Sequence, residues 1–321
     1  MRKLLLLLPL FAVKVCSAQT IENYLSAPFP TNLVASSDGK TIAWIFNDKG
    51  SRNIYVADGP AYNVKAITNY QGDDGTDISN VQFTPGGDQV IFVRGNALNN
   101  DGEPANPAFL QTSTARNIWI VDKNGGDPRE LTAGAYYKIS PDGKTMAYTS
   151  AGQVWILSLA DTTVKPEKLF QSRGMQSQLR WSPDGKTLAF VSDRDNHSFV
   201  GIYSFISRTV NFIETSMDND TYPVWSPGGK QLAYIRIPAM NNVIPFVPVR
   251  ESNPWSIRML DVTSGKTKEL WKASAGRGSV LFTDIPTEKN LLWWVENGHL
   301  VFPCEKDGWQ HLYELNINSG K

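Results

Sequence analysis

The chain has 321 residues, 31 basic against 31 acidic, with 41% hydrophobic residues and two cysteines. That charge balance excludes the basic surface a nucleic-acid backbone demands, so nucleic acid is not an expected partner. Two cysteines also exclude a disulfide-stapled miniature fold, and the length suffices for a large core in one or two domains.

Residues 1–18 have the layout of a secretory signal peptide. Arg2 and Lys3 precede an apolar run from Leu4 to Val13, and Cys16-Ser17-Ala18 supplies small residues for cleavage after Ala18. The run is too short to span a membrane, and no later segment reaches the roughly 18 apolar residues a spanning helix needs. The expected location is periplasmic or secreted, with no membrane span. Cleavage leaves 28 basic and 31 acidic residues and one cysteine, Cys304. Cys304 ends the apolar run Leu300-Val301-Phe302-Pro303, which predicts a buried structural thiol.

From residue 19 onward the chain reads as a repeat. Ser37-Asp38-Gly39-Lys40-Thr41-Ile42-Ala43-Trp44 comes first, then Thr84-Pro85-Gly86-Gly87-Asp88-Gln89-Val90-Ile91-Phe92. The unit recurs from Ser140 to Tyr148, from Ser182 to Phe190 and from Ser226 to Tyr234. A decayed sixth copy is Ile285-Pro286-Thr287-Glu288-Lys289-Asn290-Leu291-Leu292-Trp293. Marked at the proline position, the steps are 48, 56, 42, 44 and 59 residues. The shorter ones match a four-stranded propeller blade, and the longer ones imply inserted loops.

Each unit carries turn chemistry followed by strand chemistry. Proline presets φ, and Asp-Gly or Gly-Gly supplies the left-handed residue of a tight turn. An alternating apolar strand follows, with alanine at 43, 147, 189 and 233 marking a place of close approach. Next come strands such as Asn53-Ile54-Tyr55-Val56, Asn117-Ile118-Trp119-Ile120, Gln153-Val154-Trp155-Ile156 and His311-Leu312-Tyr313-Glu314-Leu315, rich in aromatic and β-branched residues. No stretch sustains a 3.6-residue period for three turns. The expected fold is all-β: a β-propeller of four-stranded blades over residues 19–321, about six blades visible and the last incomplete. A radial ring protects the strand edges that an open sheet would expose.

The Trp181-Ser182-Pro183-Asp184-Gly185-Lys186 type of repeat resembles that of TolB-type propellers. It is equally similar to the N-terminal propeller of the prolyl oligopeptidase family of serine peptidases. Two stretches lean toward the peptidases. Glu305-Lys306-Asp307-Gly308-Trp309-Gln310-His311-Leu312-Tyr313 resembles a segment in propellers of the dipeptidyl peptidase IV branch, and so does Pro254-Trp255-Ser256-Ile257. The resemblance implies a propeller that gates and positions peptide substrates for an α/β-hydrolase domain bearing a Gly-x-Ser-x-Gly elbow. No such elbow occurs here. The nearest string, Gly276-Arg277-Gly278-Ser279-Val280, lacks the frame, and His197, His299 and His311 read as surface or strand residues. Asn316-Ile317-Asn318-Ser319-Gly320-Lys321 parallels Asp261-Val262-Thr263-Ser264-Gly265-Lys266, which continues into another strand. The expectation is therefore a fragment whose catalytic domain lies outside these residues, with no catalytic residue of its own.

The resemblance also implies that propeller loops hold the substrate N-terminus. In the Pro-rich insertion from Pro238 to Trp255, Arg250 and Glu251 are the candidate substrate-binding residues: a carboxylate to pair an α-ammonium and a guanidinium to hold a carbonyl or carboxylate. The branch typically carries an adjacent Glu-Glu pair for that ammonium, and none occurs here. Asp73, Asp74 and Asp77 gather carboxylates as calcium loops do, without an EF-hand spacing, and read as an acidic turn. No phosphate loop, zinc spacing or dinucleotide fingerprint is present, so no cofactor or metal is expected. Two other functions stay open: a stand-alone TolB-like periplasmic protein-binding propeller, and an enzyme or sugar binder acting through the central channel. The channel reading asks for convergent polar residues on equivalent strands, and the strands that follow the repeat turns are mostly apolar.

Overall fold

In the computed structural model of the protein, the described residues are 21, 27–99, 103, 105, 106, 109, 111, 114–161, 163–239, 252–281 and 290–320. The proposed signal peptide at 1–18, the site residues Arg250 and Glu251, and the turn of the sixth repeat copy at 285–289 lie outside them.

The described chain is a β-propeller of five four-stranded blades and one of three strands. Blade 1 is β1 (Phe29–Ala35), β2 (Thr41–Asp48), β3 (Ser51–Asp58) and β4 (Asn63–Ala66). Blade 2 is β5 (Ile78–Phe83), β6 (Gln89–Arg94), β7 (Asn117–Asp122) and β8 (Arg129–Ala133). Blade 3 is β9 (Tyr137–Ile139), β10 (Thr145–Ser150), β11 (Gln153–Ser158) and β12 (Glu167–Lys168). Blade 4 is β13 (Met175–Trp181), β14 (Thr187–Asp193), β15 (Ser198–Ser204) and β16 (Thr209–Phe212). Blade 5 is β17 (Asn219–Trp225), β18 (Gln231–Ile237), β19 (Ser256–Asp261) and β20 (Thr267–Lys272). Blade 6 is β21 (Trp293–Val295), β22 (His299–Cys304) and β23 (His311–Asn316). Within each blade the strands run antiparallel in chain order, and one parallel bridge, Ser198 to Asn219, ties blade 4 to blade 5. Among the described residues from Phe29 onward, the helical elements are two three-residue 3-10 turns, at Arg277–Ser279 and Glu296–Gly298.

The repeat turn joins the first and second strands of a blade, and its sequence explains its shape. The Ser140 hydroxyl donates to Asp142 Oδ1 (2.6 Å) while accepting from the Thr145 amide (2.9 Å), and the Lys144 amide also donates to Asp142 Oδ1 (3.0 Å). Gly143 sits at φ +74°, where a side chain would be strained. Ser36 with Asp38 and Ser182 with Asp184 repeat this net. Each serine hydroxyl, followed by the lysine amide, holds its aspartate below the usual carboxylate range.

The sixth turn was placed at Ile285–Trp293, but blade 6 makes its first-to-second strand turn at Glu296–Gly298, between β21 and β22. Repeat decay hid the true turn, because neither Pro nor Asp-Gly marks it.

Five apolar clusters fill the five successive blade interfaces. Second-strand residues alternate between the two sides of each blade. Phe92, Tyr148, Phe190, Tyr234 and Phe302 occupy one register position, at most 2% exposed, and each packs into the interface with the preceding blade. The repeated alanines 43, 147, 189 and 233, all fully buried, permit close approach on the opposite side. Tryptophans complete the joints: Trp181 Nε1 donates to Lys138 O (2.9 Å) and Trp225 Nε1 to Arg180 O (3.0 Å), each reaching the blade before it. Polar staples close the blade ends. Asn53 Oδ1 accepts the Tyr70 amide (2.7 Å) and the Thr68 hydroxyl (2.9 Å), and Gln153 Oε1 accepts the Ser172 amide (3.0 Å).

Candidate functional site

Chain direction gives the ring two unlike ends. One carries the repeat turns. The other carries the hairpins between second and third strands and the connections between blades, and all the long insertions (95–116, 238–255 and 273–292) fall there. The segment Glu305–Tyr313 forms the β22–β23 hairpin at this end and leaves Trp309 76% exposed. Pro254-Trp255, by contrast, is structural. Trp255 is buried between blades 5 and 6, donates to Gly278 O (3.1 Å) and packs on Trp271 and Phe302.

Arg250 and Glu251 lie in the insertion between β18 and β19, outside the described residues. Its described flanks are anchored: the Ala239 amide donates to Asp218 Oδ1 (3.0 Å) and the Ser252 amide to Ser279 Oγ (2.8 Å). Beside the first anchor is a buried charge cluster. Arg236 grips Asp220 through Nε (2.7 Å) and Nη2 (2.8 Å), and Nη2 also donates to Glu214 O (2.6 Å). Glu214 in turn accepts from Arg258 (2.5 and 3.0 Å) and from the Tyr234 hydroxyl (3.2 Å). The Asp220 side chain is wholly buried, and that burial lifts its carboxyl to about 6 against the pull of Arg236. These side chains satisfy one another, so the cluster fixes the base of the insertion.

The inner strands surround a central cavity of about 700 Å³. Its lining is mixed, with Leu33, Val34, Val81 and Leu179 beside polar side chains. Asn32, Asn80, Gln82, Ser177 and Gln178 line it, with Lys138 and Arg180 as its cations. The channel is built by the strand before each repeat turn, whereas the mostly apolar strand of the repeat follows that turn. At one register point β1, β5, β13 and β17 each slip past two residues, and Asn32, Asn80, Gln178 and Tyr222 stand there with φ of +50° to +54°. The bulge turns side chains sideways around the ring. Asn80 Nδ2 donates to Ala135 O (3.2 Å), Gln178 Nε2 donates to Thr221 Oγ1 (2.8 Å), and Gln178 Oε1 accepts the Tyr222 amide (2.6 Å). The signal that could have found them is a polar residue four places before the turn Ser or Thr.

The remaining candidates have structural partners. Asp73 and Asp77 meet Arg52 (3.3 and 3.2 Å), and Asp74 meets Arg94 (2.5 Å). Two arginines thus pair all three carboxylates of the acidic turn, and no cluster of metal-ligating side chains occurs among the described residues. His197 contacts Asn196, His299 contacts Glu314 and Asn316, and His311 contacts Asp307; no serine hydroxyl is among these partners. Cys304 is buried, and burial raises its thiol pKa, as expected of a structural cysteine.

Six blades around a central channel define the class: a β-propeller. No protein-family model matches the chain. It is similar to dipeptidyl-peptidase 5 of Porphyromonas gingivalis, with 27% identity over 298 residues that cover 89% of this chain and 38% of that protein. It is also 24% identical to an uncharacterized protein of Agrobacterium fabrum over 168 residues, 51% of this chain and 56% of the relative. The chain thus spans well under two thirds of both relatives. Among solved structures, a puromycin-hydrolyzing peptidase of Mycobacterium tuberculosis superposes with a TM-score of 0.59 at 14% identity, over 92% of this chain and 44% of that one. An oligogalacturonate lyase in complex with manganese gives 0.60 at 11% identity (88% and 75%), and TolB from Acinetobacter baumannii gives 0.51 at 16% (88% and 62%). At these identities the structures establish the fold alone. No helix among the described residues is long and apolar enough to cross a membrane.

Proposed function

We propose that these residues are the non-catalytic propeller of a secreted or periplasmic serine peptidase of the prolyl oligopeptidase type, gating and positioning peptides for a hydrolase domain encoded outside them. The observation that carries this reading is the match to dipeptidyl-peptidase 5, which runs through nine tenths of this chain yet under two fifths of that protein. The histidines support it, since no serine hydroxyl is among their partners in the described residues. The first residues support export, with cleavage after Ala18.

The test uses the longer protein. It is expected to react with a fluorophosphonate serine probe and to release coumarin from peptidyl substrates; a product that does neither overturns the reading. Arg250 and Glu251 are then the proposed clamp for the substrate N-terminus. Glu251→Ala is expected to raise KM for peptides with a free N-terminus about tenfold or more, the worth of one charge-assisted contact. An equal KM for free and N-acetylated peptides in both proteins counts against that role. The likeness to TolB favours a second reading, a protein-binding scaffold of the cell envelope. Under it, the gene product lacks a hydrolase domain and co-purifies with an envelope protein through the propeller.

A further inference from the structure

The end of the ring that carries the repeat turns is one continuous surface. A Cβ built on Gly143, Gly185 or Gly229 would stand 3.6, 3.7 or 3.4 Å from Pro85, Pro141 or Pro183 of the preceding blade, so successive turns abut. The hairpin between third and fourth strands reaches this end beside the turn of its own blade. The amides of Gly59, Leu159, Phe205 and Val262 donate to the carbonyls of Lys40 (2.7 Å), Lys144 (2.8 Å), Lys186 (3.0 Å) and Lys230 (2.9 Å). The same bond in four blades sets turns and hairpin tips at one level.

Two kinds of side chain occur together there. Lys40, Lys144, Lys186 and Lys230 each follow the left-handed glycine of their turn, and all four are exposed. The hairpin beside each carries an exposed apolar residue: Tyr62 (48%), Val164 (49%), Ile206 (77%) and Val262 (38%). Blade 2 has neither. Asp88 stands in the place of the lysine, its carbonyl accepts the Lys123 amide (2.9 Å), and the hairpin tip is Asn124-Gly125-Gly126. In blade 6 Gly298 takes that place, and Ile317, whose amide donates to it (3.0 Å), is buried. Lysine and exposed apolar tip are thus present or absent together.

In blades 4 and 5 the cations prevail. The hairpins add exposed Arg208 and Lys266 to Lys186 and Lys230, against Asp184 and Asp261. Both aspartates are engaged in their own turns, Asp184 by the Ser182 hydroxyl and the Lys186 amide, Asp261 by the Ser264 amide and hydroxyl. The repeat turn of blade 5 has Gly228 where blades 1, 3 and 4 have aspartate, so it adds no negative charge.

We propose that the turn end of blades 4 and 5 is a docking surface for an anionic lipid bilayer. Ile206 and Val262 enter the headgroup layer, and Lys186, Arg208, Lys230 and Lys266 face the lipid phosphates. The chemistry favours a bilayer over a protein partner. Single apolar tips set among cations suit a plane that is anionic at its surface and apolar beneath. The core of a protein interface is instead depleted of lysine. None of these residues enters the peptidase reading, so peptidase activity and bilayer docking can fail separately.

Sedimentation of the full-length secreted protein with vesicles tests it. The protein is expected to partition onto vesicles of phosphatidylcholine and phosphatidylglycerol at low salt, and to stay in solution with phosphatidylcholine alone. Lys186→Gln and Lys230→Gln are each expected to lower that partitioning about fivefold. Ile206→Ser is expected to lower it about tenfold. Lys49→Gln, an equal change of charge on the exposed β2–β3 hairpin at the opposite end, is expected to leave it unchanged. Failure to partition onto the anionic vesicles overturns the proposal. So does a loss with Lys49→Gln as large as that with Lys186→Gln, which would make the attraction one of net charge without a docking face. A dimer in solution that Ile206→Ser dissociates would assign this face to a second copy and overturn it as well.

Discussion

Replacing Arg236 by methionine is expected to cost the fold about 3–5 kcal/mol, the toll for stranding a buried charge by removing its partner. The Asp220 carboxylate is wholly buried and takes both its short contacts from Arg236. Methionine fills a similar volume and supplies no donor. Urea denaturation measures the loss, and the double variant Arg236→Met with Asp220→Leu separates causes. Removing both charges is expected to recover most of the stability, because the penalty belongs to the orphaned carboxylate. A double variant as unstable as the single one would place the cost in packing instead.

The effect carries a pH signature. The Asp220 carboxyl is raised to about 6 in the folded protein from 3.8. A raised acid favours the folded state fully below the unfolded value, and that support is lost as pH rises through about 6. Without Arg236 the carboxyl is pushed higher still, so the variant is expected to lose more stability at pH 8 than at pH 5. The turn aspartates 38, 142 and 184 act with the opposite sign. They are lowered by serine and lysine donors, so their contribution is present above their ordinary range and fades as pH falls below it. A loss that is equal at both pH values would show that Asp220 is not the group left behind.

The blades were legible in the sequence because their turns are local. Ser140 to Thr145 contains every group of its own hydrogen-bond net, and the strand it opens alternates in plain view. The channel was not legible for the opposite reason. Asn80 and Gln178 act on the neighbouring blade, 55 and 43 residues away. Their bulges carry no glycine to announce a left-handed backbone. The Arg236–Asp220–Glu214 cluster was hidden likewise, since one arginine inside an apolar strand gives no sign of which carboxylates the ring will bring to it. Arg250 and Glu251 were singled out by resemblance, and they lie outside the described residues.

Phe190→Ala is expected to be the most costly apolar truncation in blade 4, at about 3–5 kcal/mol. Phe190 is fully buried on the face toward blade 3, with Phe170 at 4.9 Å and Phe212 at 6.0 Å. Across the ladder it is paired with Gly201, and a Cβ built on Gly201 would stand 2.5 Å from the ring. The glycine is therefore required by the aromatic, since φ at this position is not left-handed. Gly201→Ala alone is expected to cost about 1–3 kcal/mol as an overpacking defect. In the Phe190→Leu background the clash is relieved, and the same alanine is expected to be close to neutral. That coupling, read from thermal or urea unfolding of the four proteins, distinguishes a steric pair from two separate defects. Additive losses would mean that Gly201 is kept for its backbone and not for the ring above it.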